Sequence, residues 1–118
     1  MGGNAAFLKY AEKKIMPISG DLVREGLGLT PEDRQILIDN VHVVVNNAAS
    51  TSFDDPLHEA LNINYFGAMR MLELSKACKN IKAFCHVSTA YVNSNLPYDS
   101  VVEEEVYNKD LEVERLVS

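Results

Sequence analysis

The stretch Val43-Val44-Val45-Asn46-Asn47-Ala48-Ala49 constrains the fold of this chain more than any other. Three β-branched residues cut off by two amides and two small side chains read as a buried parallel strand that delivers polar groups to its carboxyl end. Open α/β sheets bind their ligands at that end. Asparagine side chains can fix such a turn by bonding nearby backbone groups, and Ala48 and Ala49 let a flat ligand come close to the main chain. The same residues also suit a plain strand followed by a polar turn, so the neighbouring segments must decide.

Those segments alternate. Residues 5–14 place Phe7, Leu8 and Ala11 at helical spacing with charges between them, which predicts the end of an amphipathic helix. Ile15 to Leu22 predicts a short strand, with Pro17 at an edge or early position and Asp21 at the strand's carboxyl end. Thr30-Pro31-Glu32-Asp33 combines a hydroxyl cap, a proline at the first helical position and an acid three residues after the cap, predicting a helix to Asp39. Phe53-Asp54-Asp55-Pro56 predicts a longer helix begun in the same capped manner, with Leu57, Leu61, Phe66, Met69 and Leu72 as its core stripe. Asn62, Asn64 and Gly67 interrupt that helix at a cost of about 0.5–1 kcal/mol each, which asks for a compensating role, above all at Asn64. Ile81 to Val92 predicts a third strand ending in the hydroxyls of Ser88 and Thr89. Strand, helix, strand, helix, strand predicts an α/β fold of parallel βαβ units with right-handed crossovers. Asp21, the Asn47–Ala49 turn and Ser88-Thr89 then share one edge.

Composition narrows the function classes. The 118 residues, 47% hydrophobic and 24% charged, fit one globular domain. The net charge of −6 is concentrated in residues 99–118, which hold seven acidic and two basic side chains against ten and nine in the remainder. A clustered basic footprint is missing, so nucleic acid is not an expected partner. Cys78 and Cys85 show neither metal-ligand spacing nor the density of a disulfide scaffold; no metal site is expected, and a reducing intracellular compartment is. No apolar run approaches the ~18 residues of a membrane span, and no signal-peptide apolar region opens the chain.

Asp21-Leu22, Asn46-Asn47-Ala48-Ala49 and Ser88-Thr89-Ala90-Tyr91 at three successive strand ends, with Asn64-Tyr65-Phe66-Gly67 between, are similar to the extended short-chain dehydrogenase/reductase pattern. Within it, residues 14–22 and 86–93 resemble the fatty acyl-CoA reductase family, the "male sterility" NAD-binding type, and the similarity runs from about Phe7 to the end. The resemblance implies part of a Rossmann-like doubly wound parallel sheet, its third, fourth and fifth strands. It implies that residues 1–118 are a central fragment of one NAD(P)-binding reductase domain, with 5–92 as the sheet and helix portion and 93–118 as an acidic loop or helix segment. The implied activity is reduction of a long-chain acyl-CoA to a fatty alcohol through an aldehyde. The implied cofactor is NADPH, with NADH left open. Asp21 would meet the adenine amino group, Leu22 would lie beside that ring, Asn47, Ala48 and Ala49 would line the ribose and pyrophosphate, and Asn64 would hold the turn near the nicotinamide. Thr89 would be the catalytic hydroxyl on the substrate carbonyl, with Ser88 as its alternate. Family members are often found at peroxisomal, endoplasmic reticulum or plastid membranes.

The chain departs from the family pattern in two places. The phosphate-binding glycine turn belongs before Asp21, and Gly20, Gly26 and Gly28 read instead as turn residues of a loop. The catalytic Tyr-x-x-x-Lys belongs after Thr89, whereas Tyr10-Ala11-Glu12-Lys13-Lys14 precedes Asp21. The expectation is an isolated chain that neither binds the dinucleotide tightly nor turns over. In the strand order of this fold, two absent strands would part the Asp21 strand from the Val43 strand by roughly 14 Å, leaving edges that predict self-association. Another extended reductase, acting on carrier-protein thioesters, sugars or steroids, and a non-catalytic structural module are the other readings of the same residues.

Overall fold

Thr30 caps its helix with its own hydroxyl. In the computed structural model, which describes residues 3–107, the Asp33 N–H donates to Thr30 Oγ1 at 3.1 Å and the hydroxyl returns to Asp33 Oδ2 at 2.9 Å. With Pro31 at the first turn, where a missing N–H costs nothing, this reciprocal pair starts α2, Pro31–Asn40. It follows α1, Gly3–Ala11, and a short 3-10 segment at Glu25–Gly28. Strand β1 is Val43–Asn46 and strand β2 is Ala83–His86. Between them runs one helical rod: α3, Leu57–Leu61, a π-turn at Asn62–Phe66, and α4, Gly67–Ala77.

β1 and β2 pair in parallel, Val43 opposite Ala83 and Asn46 opposite His86, and the Val87 N–H extends the ladder to the Asn46 carbonyl at 2.9 Å. The βαβ unit is therefore present. Alternation along β1 buries Val44 and Asn46 and leaves Val43 and Val45 exposed, at 55% and 61%. The strand read as buried is covered on one face only. Leu74 and Cys78, one helical turn apart, complete that small core with Ser75 beside them. The predicted stripe is not this core: Leu57 and Met69 are exposed, and the residues that α4 buries are Gly67, Leu74 and Ser75.

Two further expectations are corrected. Ile15 to Leu22 forms no strand, and among the described residues the sheet has two strands, β1 and β2. A strand exists only through its ladder. Pro17 has no N–H to give, and the Asp21 N–H goes instead to the Leu27 carbonyl at 2.8 Å. The Phe53–Pro56 start is not capped like α2: Pro56 occupies the cap position without a side-chain hydrogen bond, and Asp55 is engaged by Ser50. Residues 94–107 hold no helix, and the rest of the acidic segment lies outside the described residues.

The end of α2 is tied to the turn before β2. The Lys79 ammonium lies 2.6 Å from Asp39 Oδ1, Gln35 Nε2 donates to Asp39 Oδ2 at 2.9 Å, and Asn80 Nδ2 donates to the Asp39 carbonyl at 3.1 Å. The Lys79 contact, then that of Gln35, holds the Asp39 carboxyl below its ordinary value.

Candidate functional site

The turn after β1 is held from the helical rod. Asn64 Oδ1 accepts the Ser50 N–H at 2.8 Å, and Asn64 Nδ2 donates to the Ser50 carbonyl at 3.1 Å, so one side-chain amide pairs with both backbone groups of one residue. Ser50 also donates its hydroxyl to the Asp55 carboxylate and accepts the Ser52 N–H at 3.3 Å. Asp55 is in consequence held below the ordinary carboxylate value, by Ser50 first and Ser52 second. Every polar group of Ser50 is thereby used. Asn47, Ala48 and Ala49, immediately before this anchor, remain exposed.

Asn64 can reach across because the rod widens there. The Gly67 N–H bonds the Asn62 carbonyl five residues back, the spacing of a π-turn, a feature that recurs at functional sites. Gly67 is buried, and a Cβ placed on it would lie 3.2 Å from the Leu22 Cβ. The glycine thus admits the Asp21-Leu22 loop against the start of α4. Arg70, one turn later, donates from Nη1 to the Leu22 carbonyl at 2.8 Å.

The Asp21 loop is shaped from within. Asp21 Oδ1 accepts the Val23 N–H at 3.0 Å and Oδ2 lies 3.3 Å from Arg24 Nε. Gly26, Leu27 and Gly28 all adopt positive φ, near 60°. Leu27 holds that unfavourable conformation while buried. Its side-chain burial offsets a backbone cost of order 1–3 kcal/mol.

After β2, Thr89 caps the 3-10 turn Ala90–Asn93 by accepting the Tyr91 N–H at 3.3 Å. Ser88 and Thr89 are both exposed. Tyr91 meets Phe53 edge to face, centroids 5.7 Å apart, which joins the two loops above the strands. Below them, Asn46, 3% exposed, bonds His86 Nδ1 at 3.0 Å across the strand pair.

The structure therefore gathers two groups of the predicted residues at the π-turn: Asn47–Ala49 through Ser50 and Asn64, and Asp21-Leu22 through Gly67 and Arg70. Ser88 and Thr89 leave the neighbouring strand at its carboxyl end. Sequence reading missed Ser50 and Arg70, and it took Asn46 as part of the strand's polar ending without its bond to His86. Asn46 opposite His86 was detectable in principle from the strand register. Ser50 and Arg70 carried no local signal. Small exposed side chains thus line a pinned turn, and the Asp21 carboxylate, with about four lone-pair sites, retains acceptor capacity beyond the Val23 N–H and Arg24.

Among the described residues no helix is long and apolar enough to cross a membrane, and no cluster of three or more His, Cys, Asp or Glu is placed to hold a metal ion. The sequence model of the NAD-binding family described as male sterility protein matches residues 3–117. The Drosophila melanogaster protein named "Putative fatty acyl-CoA reductase CG8306" is 43% identical over 121 residues, covering 97% of this chain and 23% of its own length. "Fatty acyl-CoA reductase wat" of the same organism is 36% identical over 95 residues, 80% of this chain and 18% of the relative. "Fatty acyl-CoA reductase 1" of Rattus norvegicus is 31% identical over 105 residues, 89% of this chain and 20% of the relative. The chain spans about a fifth of the length of these relatives. With nearly its whole length matched, the chain belongs to the male sterility protein family of NAD-binding domains, among relatives that carry fatty acyl-CoA reductase names.

Proposed function

We propose that these residues serve an NADPH-dependent fatty acyl-CoA reductase that converts a long-chain acyl-CoA to a fatty alcohol through an aldehyde. One observation carries the reading: the pinned Asn47–Ala49 turn and the Ser88-Thr89 hydroxyls leave adjacent parallel strands at the same end. A thioester carbonyl and a dinucleotide must meet at such an edge. The bound nicotinamide supplies hydride, and negative charge then develops on the carbonyl oxygen. Thr89 Oγ1 accepts the Tyr91 N–H, which leaves its own proton free to be donated to that oxygen, with Ser88 as the alternate. Neither hydroxyl is a proton source by itself. Asn47, Ala48 and Ala49 line the ribose and pyrophosphate, Asn64 keeps their turn in place, and Asp21 with Leu22 receives the adenine.

The test uses the intact protein that carries these residues, with a long-chain acyl-CoA and either NADPH or NADH. Consumption of NADPH with appearance of the alcohol is expected, and Thr89→Val is expected to lower kcat/KM by about 10²–10³-fold, the loss typical of one oxyanion donor. A Thr89→Val, Ser88→Ala double variant of undiminished activity would overturn the assignment of the hydroxyls. Faster reduction of carrier-protein thioesters than of acyl-CoA would move the protein to another branch of the extended reductases. We further propose an intracellular, reducing location at organelle membranes, supported by two free cysteines and the family membership, and self-association, supported by the unpaired outer edges of β1 and β2 among the described residues.

A further inference from the structure

Arg70 stands outside the residues assigned above, yet it spans the molecule. Half-buried on α4, its Nη1 donates to the carbonyl of Leu22, 48 residues earlier, at 2.8 Å and to that of Asn62 at 3.3 Å, while Nη2 donates to Asn62 Oδ1 at 3.1 Å. A guanidinium is a rigid planar fork, so three acceptors held by it are fixed in direction as well as distance. Among the described residues Arg70 forms no ion pair, and its charge is met by peptide and amide dipoles alone. A flexible Lys ammonium could supply the charge but not this geometry. The Asn62 carbonyl also closes the π-turn by accepting the Gly67 N–H, and the same turn carries Asn64, which clamps Ser50. One widened helical turn thus holds two loops, the Asp21-Leu22 loop from one position and the Asn47–Ala49 turn from another.

We propose that Arg70, acting with Asn62, is a positioning residue for the adenine end of the cofactor site. By gripping the Leu22 carbonyl it sets the reach between the Asp21 carboxylate and the Asn47–Ala49 turn, and so matches the two halves of a dinucleotide to one another. The proposal rests on the assignment of Asp21 and Leu22 to the adenine end.

Titration calorimetry on the intact protein, with 2′-phospho-ADP-ribose and nicotinamide mononucleotide as separate probes, tests it. Arg70→Met is expected to weaken the adenine-bearing probe by about 10-fold, the scale of a lost hydrogen bond to a charged group, and Asn62→Ala by somewhat less. Nicotinamide mononucleotide should bind both variants within about twofold of the unsubstituted protein, since the Asp21-Leu22 loop is assigned to the adenine end. In turnover, KM for NADPH should rise while kcat is kept, and Arg70→Lys should rescue the affinity only in part. Should Arg70→Met fail to fold, Asn62→Ala, which removes one leg of the grip, decides alone. Unchanged binding of the adenine-bearing probe, or equal loss of both probes, overturns the positioning role. Asp21→Ala separates the two readings: if it weakens the adenine-bearing probe while Arg70→Met and Asn62→Ala do not, only the positioning role fails. If Asp21→Ala is also without effect, or the unsubstituted protein binds neither probe, the adenine assignment fails and the positioning role with it.

Discussion

Ser50 shows how much one small residue can organise. Its N–H and carbonyl are taken by Asn64, and its hydroxyl joins Asp55 and the Ser52 N–H. Because the hydroxyl bonds the charged form of Asp55, the folded carboxyl titrates below the ordinary 3.8. The sign follows from linkage: this stabilisation is fully present above the ordinary value and is lost as pH falls through the lowered folded value. Ser50→Ala is therefore expected to return the Asp55 titration toward its ordinary value, read by NMR, and to flatten the acid side of the melting-temperature profile. An unmoved Asp55 titration would refute the link. At Asn64, both hydrogen bonds disappear in Asn64→Ala, and a loss of about 1–2 kcal/mol in denaturant unfolding is expected for an exposed amide clamp. Sequence pointed to Asn64 because an asparagine inside a helix costs stability. It was silent on Ser50, whose partners lie fourteen residues away and in the loop itself.

At the scale of elements, the π-turn is the informative feature. The predicted stripe steps through Leu57, Leu61, Phe66, Met69 and Leu72, and its one five-residue step, Leu61 to Phe66, coincides with the turn that absorbs an extra residue. That irregular step is visible in the sequence, but an α-helical stripe tolerates it, so it does not announce a π-turn by itself. Gly67→Ala is a clean probe, since alanine in a helix interior is worth up to about 1 kcal/mol over glycine. Here the added Cβ would meet the Leu22 Cβ at 3.2 Å on a backbone held by Arg70, so the gain is expected to vanish and the melting temperature to fall. A melting temperature raised by Gly67→Ala would show that the loop yields. Helix α2, by contrast, was legible from its first four residues, because capping is a local matter. Thr30→Val is expected to cost about 1 kcal/mol, measured by denaturant unfolding.

For the whole molecule, burial is the limiting quantity. The radius of gyration is 18.0 Å, against about 13–14 Å for a compact domain of this length. Core residues Leu27, Val44, Leu74 and Cys78 are few, so each matters; Leu74→Ala is expected to remove about 2–4 kcal/mol, seen as a lowered denaturation midpoint. The face of β1 opposite the helices exposes Val43 and Val45, and the exposed Cys85 lies across from Val45 on β2. Apolar surface next to an unpaired strand edge favours association with another chain. Light scattering is expected to show a mass above that of one chain, reduced by Val45→Lys with no loss of secondary structure. A monomer in both cases would show that these edges do not attract one another.

The sequence by itself determined the α/β class, the cap of α2, the parallel pairing of the Val43 and Phe84 segments and the edge at which polar residues gather. These follow from signals a few residues long: hydroxyl caps, β-branched runs and abrupt polar endings. The tertiary structure alone decided that Ile15 to Leu22 stays unpaired, that one face of β1 is open, and that Asn64 and Arg70 draw two distant loops onto one turn. Each of those outcomes depends on which distant backbone group is within hydrogen-bond reach, and no local pattern of side chains carries that information.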